Sequence, residues 1–161
     1  MKLSDINWQE WQPTEVATLL FVIRDEQILL IRKKRGLGAG KINGPGGRIE
    51  KGETPQECAI RETQEELCIT PQNVEFCGDL YFQFTSGFSI RGHVYKADDY
   101  EGEPTETDEA IPHWFELTKI PYHEMWEDDE IWIPHMLEGK IFSARYIFDG
   151  DSMLEHQIEL H

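Results

Sequence analysis

The sequence predicts a helix over residues 54–67, and three consecutive signals mark where it begins. Thr54 is an N-cap residue, Pro55 stands at the first helical position, and Glu57 completes a capping box. Pro71 stops the segment. At about 100° per residue, one face of this helix is apolar or small and the other is charged. The apolar face is suited to packing on a sheet, so the sequence predicts a layered domain.

Most other apolar runs predict strands, joined by turns or loops. These runs are residues 16–23, 28–32, 76–84, 89–95, 113–117, 141–148 and 152–160. A second helix is predicted over residues 129–137, closed by Gly139. Irregular loops are predicted over residues 36–47, which hold six of the 13 glycines, and over the acidic residues 98–109. Because strands dominate and the two helices are separate, we predict an α+β fold with a mixed sheet.

Charge and composition limit the partners of the chain. A net charge of −16 over 161 residues repels nucleic acid and anionic membranes, so neither is an expected partner. The longest apolar run, Val16–Ile23, is far shorter than the roughly 20 residues that a bilayer span needs. Residues 1–15 are expected to be an extension packed on a single domain, 16–161. The three cysteines form no C-x-x-C pair, so we expect a reduced, cytoplasmic protein. We also expect a monomer.

Carboxylates are concentrated on one face of the first helix. Glu62, Glu65 and Glu66 share that face, and Glu53 lies just before the helix. Like charges at this spacing repel one another, and Arg61 alone cannot neutralise them. Mg²⁺ takes carboxylate oxygens and bridges to substrate phosphates, which makes the face a candidate metal site. Taken alone, the pattern is also that of a solvated acidic face.

A basic, glycine-rich segment precedes that helix. Seven of the 15 basic residues lie between Arg32 and Lys51. The segment does not match a Walker A loop, because Ile42 follows Gly40-Lys41, and it does not match a dinucleotide fingerprint, because no helix opens directly from it. Taken alone it is a flexible loop with solvated lysines. Beside a carboxylate helix, its N–H groups and lysines can hold phosphates.

Together these segments resemble the Nudix box, G-x5-E-x7-R-E-U-x-E-E-x-G-U. Gly47 and Glu53 stand in register with Arg61-Glu62-Thr63-Gln64-Glu65-Glu66-Leu67-Cys68-Ile69, and six fixed positions match over 23 residues. Thr63 stands where an aliphatic residue is usual. Cys68 replaces the glycine that ends the helix, a change that costs about 1 kcal/mol if the position is left-handed.

The resemblance extends to the 8-oxo-dGTPase branch of the Nudix hydrolases and covers roughly residues 16–160. It includes the loop 33–47 and the segments 106–109, 120–129 and 148–151. It implies a Nudix-type α/β/α sandwich with a mixed sheet. It also implies hydrolysis of oxidised purine nucleoside triphosphates, such as 8-oxo-dGTP and 2-hydroxy-dATP, to the monophosphate and pyrophosphate. Such an enzyme sanitises the nucleotide pool.

The resemblance further implies roles for individual residues. The implied ligands of Mg²⁺ or Mn²⁺ are Glu62, Glu65, Glu66, Glu109 and the carbonyl of Gly46, and Glu65 and Glu66 are each a candidate for ligand or general base. Glu53 and Arg61 would form an ion pair that holds the box rigid. The residues implied to bind the substrate are Lys33, Pro45, Gly46, Gly47, Arg48 and Glu127. Those implied to contact its base are Thr18, Asn43, Trp126, Asp128 and Asp129.

The residues of the implied base site have suitable chemistry for base recognition, but each also has a purely structural interpretation. Trp126 offers a face for stacking, and Asn43 offers a donor and an acceptor. Two adjacent aspartates in an apolar pocket cannot easily both ionise, so one can stay protonated and donate a hydrogen bond to a base carbonyl. On the residues alone, Trp126 can be a core residue, and Asp128 and Asp129 can cap the next helix.

Some positions depart from the animal enzymes. Leu37 and Ile42 replace aromatic pocket residues, and Glu127 replaces a proline. Two other functions therefore stay open: a Nudix hydrolase for another nucleoside diphosphate-X, such as ADP-ribose or a dinucleoside polyphosphate, and a non-catalytic nucleotide-sensing module. The presence of all the box acids speaks against the second. A structural Ca²⁺ site on the acids would leave the glycine-rich segment unexplained.

Overall fold

The computed structural model describes residues 1–161, with eleven strands and two α-helices. The strands are β1 Glu15–Arg24, β2 Gln27–Lys33, β3 Ile42–Asn43, β4 Gly46–Arg48, β5 Thr70–Gln72, β6 Glu75–Phe84, β7 Ser89–Ala97, β8 Asp99–Glu101, β9 Ala110–Glu116, β10 Phe142–Asp149 and β11 Ser152–Leu160. The helices are α1 Pro55–Leu67 and α2 Asp129–Leu137. Neither helix combines the length and the apolar character that crossing a membrane requires.

Nine of the strands form one mixed sheet. Its order is β11-β10-β6-β7-β1-β2-β3, with β4 paired to β1 and β9 paired to β2. The β1–β7 and β6–β10 pairs are parallel and the others are antiparallel. Near its start β1 pairs with β4, so that Thr18 lies opposite Gly47 and Leu19 opposite Gly46. This pairing holds the end of the glycine-rich segment against the middle of the sheet.

The sheet is enclosed between the two helices. Successive side chains of β1 point to opposite faces. Leu20 is buried in a cluster with Ala59 and Leu67 of α1, and Phe21 is buried in a second cluster with Trp132 of α2. Apolar burial on both faces fixes the helix–sheet–helix layers. The predicted α+β fold with an α/β/α sandwich is confirmed.

The ends of α1 follow local sequence signals. The hydroxyl of Thr54 accepts from the backbone N–H of Glu57, and the Glu57 carboxylate accepts from the N–H of Thr54, both at 3.1 Å. Cys68 follows the last helical residue with φ 62°, in the left-handed region, and its N–H donates to the Gln64 carbonyl. The strain expected at Cys68 is therefore present.

Four short strands lie where the sequence predicts loop or turn. β3 and the start of β4 lie within the predicted loop 36–47, and β8 lies within the predicted loop 98–109. β5 contains Pro71, the predicted stop of α1, and pairs with β8. Strands of two or three residues show no hydrophobic period, and only pairing with a distant segment defines them. β9 also begins at Ala110, three residues before the predicted strand.

Candidate active site

Three carboxylates converge at the sheet-facing side of α1. The nearest oxygens of Glu62, Glu66 and Glu109 all lie within 4.8 Å of one another. Glu66 is buried, and the other two are half-buried. Glu65 is not part of this cluster: its side chain is 52% exposed and pairs with Arg61. The cluster offers the hard oxygen ligands that a divalent cation prefers.

The acidic segment before β9 reaches this cluster by bonding to the end of α1. The last carbonyls of a helix have no partner inside it. Here the Thr107 hydroxyl donates to the Glu66 carbonyl at 2.8 Å, and the Thr105 N–H donates to the Leu67 carbonyl at 3.0 Å. The N–H of Lys34 donates to the Glu109 carbonyl at 2.9 Å. These bonds place Glu109 beside the helix.

Burial and neighbouring acids favour the protonated form of Glu66. Burial raises the pKa of Glu66 to about 8, and the charges of Glu62 and Glu109 act in the same direction. The Gly46 N–H, which donates to the Glu66 carboxylate at 3.1 Å, acts against this rise. A bound divalent cation would favour the ionised carboxylates instead, so the donor set fits such an ion.

Arg61 joins the acidic residues of the box. Its guanidinium contacts both oxygens of Glu53, at 2.6 and 2.9 Å, and lowers the pKa of Glu53 to about 2. It also donates to Glu62 at 2.9 Å and Glu65 at 3.2 Å. A further bond of 3.2 Å reaches the carbonyl of Arg48. Arg61 therefore fixes the box acids relative to β4, as a bidentate guanidinium does well.

Two glycines allow β4 to lie close to the sheet and the helix. A Cβ at Gly47 would lie 2.5 Å from the carboxyl carbon of Glu62. A Cβ at Gly46 would lie 1.9 Å from the carbonyl oxygen of Thr18. A side chain at Gly46 would meet the backbone of β1 and push β4 away, whereas a side chain at Gly47 would displace the carboxylate of Glu62. The glycine of the box motif therefore leaves room for that carboxylate.

A cavity of about 150 Å³ adjoins the carboxylate cluster and shares Glu66 with it. Its polar lining includes Lys33, Asn43, Asp128 and Asp129. The other lining residues are Ala17, Thr18, Leu19, Ile31, Leu37, Gly44, Gly46, Gly47, Leu80, Phe82, Phe84, Ile90, Gly92, Trp126 and Phe148. A mostly apolar cavity with a few polar groups is typical of a small-molecule site.

The two aspartates are buried at this cavity. Asp128 and Asp129 are 2% and 3% exposed. Asp128 accepts from the indole N–H of Trp132 at 2.9 Å, whereas Oδ2 of Asp129 is buried without a partner. Burial raises the pKa of both carboxyls, and repulsion from Asp128 raises that of Asp129 further. The side chain of Asp128 makes no capping bond to α2, so the alternative of a side-chain cap is wrong for this residue.

Trp126 borders the cavity as well as the core. Its ring meets the edges of Phe84 and Phe148, with centroids 6.4 and 5.8 Å away. The ammonium of Lys41 lies 5.1 Å from the ring centroid and 3.3 Å from the Asp151 carboxylate. The indole is therefore held between the sheet and the glycine-rich segment.

The other residues expected at the base site differ in whether they line the cavity and in whether their polar groups are free to bind a ligand. Thr18 lines the cavity, but it is buried and its hydroxyl contacts Cys58 Sγ at 3.3 Å. Asn43 accepts from the Gly44 N–H through its side-chain oxygen at 2.8 Å, which leaves its NH₂ group for a ligand. Leu37 lines the cavity as expected. Ile42 does not: it is buried in the core, which corrects the expectation that it is a pocket residue.

Several other residues expected at the substrate lie outside the cavity lining. Glu127 accepts from the N–H of Met153 at 3.1 Å, which turns it towards β11. Arg48 is exposed and pairs with Glu15 at 3.5 Å. The carbonyl of Pro45 accepts from the Leu20 N–H at 2.9 Å. In each of these residues, the polar group named contacts another residue of the protein.

The cavity wall also contains residues that the sequence does not single out. Apart from Phe148, which opens segment 148–151 of the resemblance, these are Leu80, Ile90 and Gly92 of the central strands. In sequence they have the same alternation as core residues, so no signal distinguishes them. Phe82 and Phe84 of β6 also line the cavity.

Comparison with known proteins agrees with this geometry. Residues 13–136 match the model of the NUDIX domain. The chain is 41% identical over 148 residues to an oxidized purine nucleoside triphosphate hydrolase from Danio rerio, covering 91% of this chain and 95% of that protein. It is 37% identical over 147 residues to a Mus musculus protein of the same name, covering 90% and 94%.

A solved structure is also similar. The mutator MutT protein from Bacillus halodurans superposes with a TM-score of 0.82 at 26% identity, over 90% of this chain and 97% of that one. The matched family model spans α1, the three clustered carboxylates and the buried aspartate pair. With this span and the bonding of the box residues, the chain belongs to the NUDIX family.

Proposed function

We propose that this protein hydrolyses oxidised purine nucleoside triphosphates, such as 8-oxo-dGTP and 2-hydroxy-dATP, and so sanitises the nucleotide pool. The products are the nucleoside monophosphate and pyrophosphate. The observation that carries the proposal is that Glu66 belongs both to the carboxylate cluster and to the wall of the cavity. A base in the cavity would thus have its phosphates at the acids. The activities named for the Danio rerio and Mus musculus relatives support the same substrate class.

A divalent cation is the general cofactor of this family. We propose Mg²⁺, with Mn²⁺ as an alternative, held by Glu62, Glu66 and Glu109 with the carbonyl of Gly46. Glu65 would join these ligands only after leaving Arg61. When bound, the ion polarises phosphoryl oxygens and lowers the pKa of a bound water.

The residues of the chain supply positioning and proton transfer. Lys33, which lines the cavity, would pair with the phosphates. Either Glu65 or Glu66 would accept the proton of the attacking water as its oxygen bonds to the α- or the β-phosphorus. The bond from that phosphorus to the bridging oxygen would break, and the nucleoside monophosphate and pyrophosphate would separate. Arg61 would keep Glu53 and Glu62 in place during this step.

The base would be recognised by stacking and by hydrogen-bond donors. Trp126 supplies the stacking surface, and the free NH₂ group of Asn43 supplies donors. The proton retained by the Asp128–Asp129 pair supplies a donor to a carbonyl of the oxidised base.

A panel of substrates with Mg²⁺ tests the proposal. It includes normal and oxidised nucleoside triphosphates, ADP-ribose and a dinucleoside polyphosphate. Inorganic pyrophosphate is the readout for the triphosphates, and loss of substrate by chromatography is the readout for every compound. We expect pyrophosphate from the triphosphates and the highest kcat/KM for the oxidised purines. Turnover of ADP-ribose alone would favour the other nucleoside diphosphate-X activity. Binding without any turnover would favour the sensing module.

We further propose that the protein acts as a cytoplasmic monomer on free nucleotides. The net charge of −16 disfavours contact with nucleic acid. The basic residues of the glycine-rich segment are instead used locally, as in the pairs Lys34–Glu106 and Arg35–Glu109. Light scattering of the purified chain would test the oligomeric state.

A further inference from the structure

The N-terminal residues 1–14 lie on the face of β6 that points away from the cavity. Successive side chains of β6 alternate between faces. Phe82 and Phe84 line the cavity, whereas Tyr81 contacts Trp8 and Trp11, with ring centroids 6.4 and 5.7 Å away. The extension and the cavity therefore share one strand as a common wall.

The amide of Gln83 links the extension to the turn that ends this strand. The indole N–H of Trp11 donates to the Gln83 side-chain oxygen at 2.8 Å. The Gln83 NH₂ group donates to the carbonyls of Phe84 at 2.9 Å and Phe88 at 3.3 Å. An indole N–H can only donate, so Trp11 fixes which end of the amide faces the turn.

β7, which pairs with β6, is also bonded to the extension, at the residue opposite Gln83. Ser89 lies opposite Gln83 in the β6–β7 pair. The Thr14 N–H donates to the Ser89 hydroxyl at 2.9 Å, and the Ser89 N–H donates to the Thr14 hydroxyl at 3.1 Å. Both strands are thus bonded to the extension next to the turn, and Trp11 reaches the carbonyls of Phe84 and Phe88 through the amide of Gln83.

We infer that Trp11 is a positioning residue for the base-binding cavity, acting through Gln83 on the turn Phe84–Phe88. The inference rests on the proposed function, because it takes a purine base as the occupant of the cavity. Phe84 packs against both Trp126 and Phe148. A shift of the turn therefore moves the wall beside the stacking ring. The carboxylate cluster lies on α1 and before β9, so the shift leaves the metal ligands in place.

The chain offers a matched pair of variants. Trp11→Phe keeps an aromatic ring against Tyr81 and removes the N–H that bonds Gln83. Trp8→Phe removes an indole N–H from the same aromatic cluster, but that N–H donates to the Leu3 carbonyl at 3.2 Å, within the extension. Net values for a hydrogen bond correspond to about a two- to tenfold change. We expect Trp11→Phe to raise KM for 8-oxo-dGTP by about this factor with kcat unchanged, and Trp8→Phe to change neither.

Two further measurements separate positioning from general stability. If Trp11 acts through Gln83, the double variant Trp11→Phe/Gln83→Leu raises KM no more than Gln83→Leu alone. Tripolyphosphate, which has no base, should inhibit all variants with the wild-type Ki. An unchanged KM in folded Trp11→Phe, additive effects, or an equal rise in the Ki of tripolyphosphate overturns the inference.

The wild-type protein distinguishes this inference from the proposed function. Wild-type protein that releases no pyrophosphate from any triphosphate contradicts the function. If the wild type is inactive, the Kd of 8-oxo-dGMP measured by calorimetry still tests the inference, because binding needs no turnover. A Kd that is weakened by Trp11→Phe and not by Trp8→Phe supports it, and equal values for the wild type and both variants overturn it.

Discussion

At the scale of single residues, Glu66 connects the acidic cluster with the cavity. It is buried, it lies with Glu62 and Glu109, and it accepts from the Gly46 N–H. Glutamine has nearly the same shape and no charge. We expect Glu66→Gln to lower kcat for 8-oxo-dGTP at least about 10²-fold while the fold is kept, because a ligand or base is removed from the chemical step.

Glu65→Gln is the comparison that separates the two candidates for general base. Glu65 is exposed and bonds Arg61 rather than the cluster, so its loss should lower kcat less than the loss of Glu66. Circular dichroism and thermal unfolding would show that both variants are folded. An unchanged kcat in folded Glu66→Gln would remove this residue from the mechanism.

The raised pKa of Glu66 predicts a pH dependence of stability in metal-free protein. The pKa is about 8 in the folded chain, against 4.5 as its ordinary value. Between these values the folded state retains a proton that the unfolded state has lost. The free energy of unfolding should therefore fall as pH rises from about 4.5 to 8, by up to about 1.4 kcal/mol per pH unit from this group.

Urea unfolding in the presence of EDTA at several pH values from 5 to 8 measures this slope. Glu66→Gln should reduce the slope, because glutamine does not titrate, and saturating Mg²⁺ should reduce it in the wild type. An identical slope in the wild type and in Glu66→Gln would assign the pH dependence to other groups.

At the scale of secondary structure elements, the end of α1 has a removable strain. Cys68 has φ 62°, a region in which a Cβ is disfavoured, and it is exposed. Cys68→Gly should raise the free energy of unfolding by up to about 1 kcal/mol and leave kcat unchanged. Cys68→Ala keeps the Cβ and removes the thiol, so it should give no such gain. Urea unfolding compares the three chains, and a loss of stability in Cys68→Gly would contradict the prediction.

The predictability of an element depends on how local its determinants are. The beginning of α1 follows from Thr54, Pro55 and Glu57, which lie next to the residues they organise. The long strands follow from alternation within each strand. β3, β4, β5 and β8 were not predicted, since two or three residues form a strand only when a distant partner such as β1 supplies the hydrogen bonds.

The site was predictable to a similar degree. Helical periodicity groups Glu62, Glu65 and Glu66 on one face, but it cannot say which side of that face meets the sheet. The packing of α1 buries Glu66 and leaves Glu65 exposed beside Arg61. Glu109 is far along the chain, so in the sequence only the resemblance points to it, and the bonds at the end of α1 are what bring it to the cluster.

At the scale of the whole molecule, metal binding and base binding use different parts of the chain. The clustered acids are on α1 and the segment before β9. The cavity wall draws on β1, β2, β6, β7 and β10, on the short strands β3 and β4, and on the residues that open α2. It includes Gly46, whose carbonyl is a proposed metal ligand. Glu66 belongs to both. Base preference and turnover should therefore respond to different substitutions.

The aspartate pair tests this separation. Asp129 has a buried oxygen without a partner, whereas Asp128 is bonded to the Trp132 indole. Asn cannot share a proton between two carboxyls, and its NH₂ group donates from a fixed position. We expect Asp129→Asn to reduce the ratio of kcat/KM for 8-oxo-dGTP to that for dGTP by the equivalent of about 1–3 kcal/mol. Asp128→Asn should reduce it less, because an amide oxygen can still accept from Trp132.

The measurement is kcat/KM for 8-oxo-dGTP, 2-hydroxy-dATP and dGTP in the wild type and in each aspartate variant. A change in the ratios with a similar kcat for the best substrate fits a role in base recognition, because the clustered acids are untouched. A uniform fall for all three substrates contradicts that role. Asp128 and Asp129 would then serve the packing around Trp132, and base selectivity would have to come from Asn43 and the walls of the cavity.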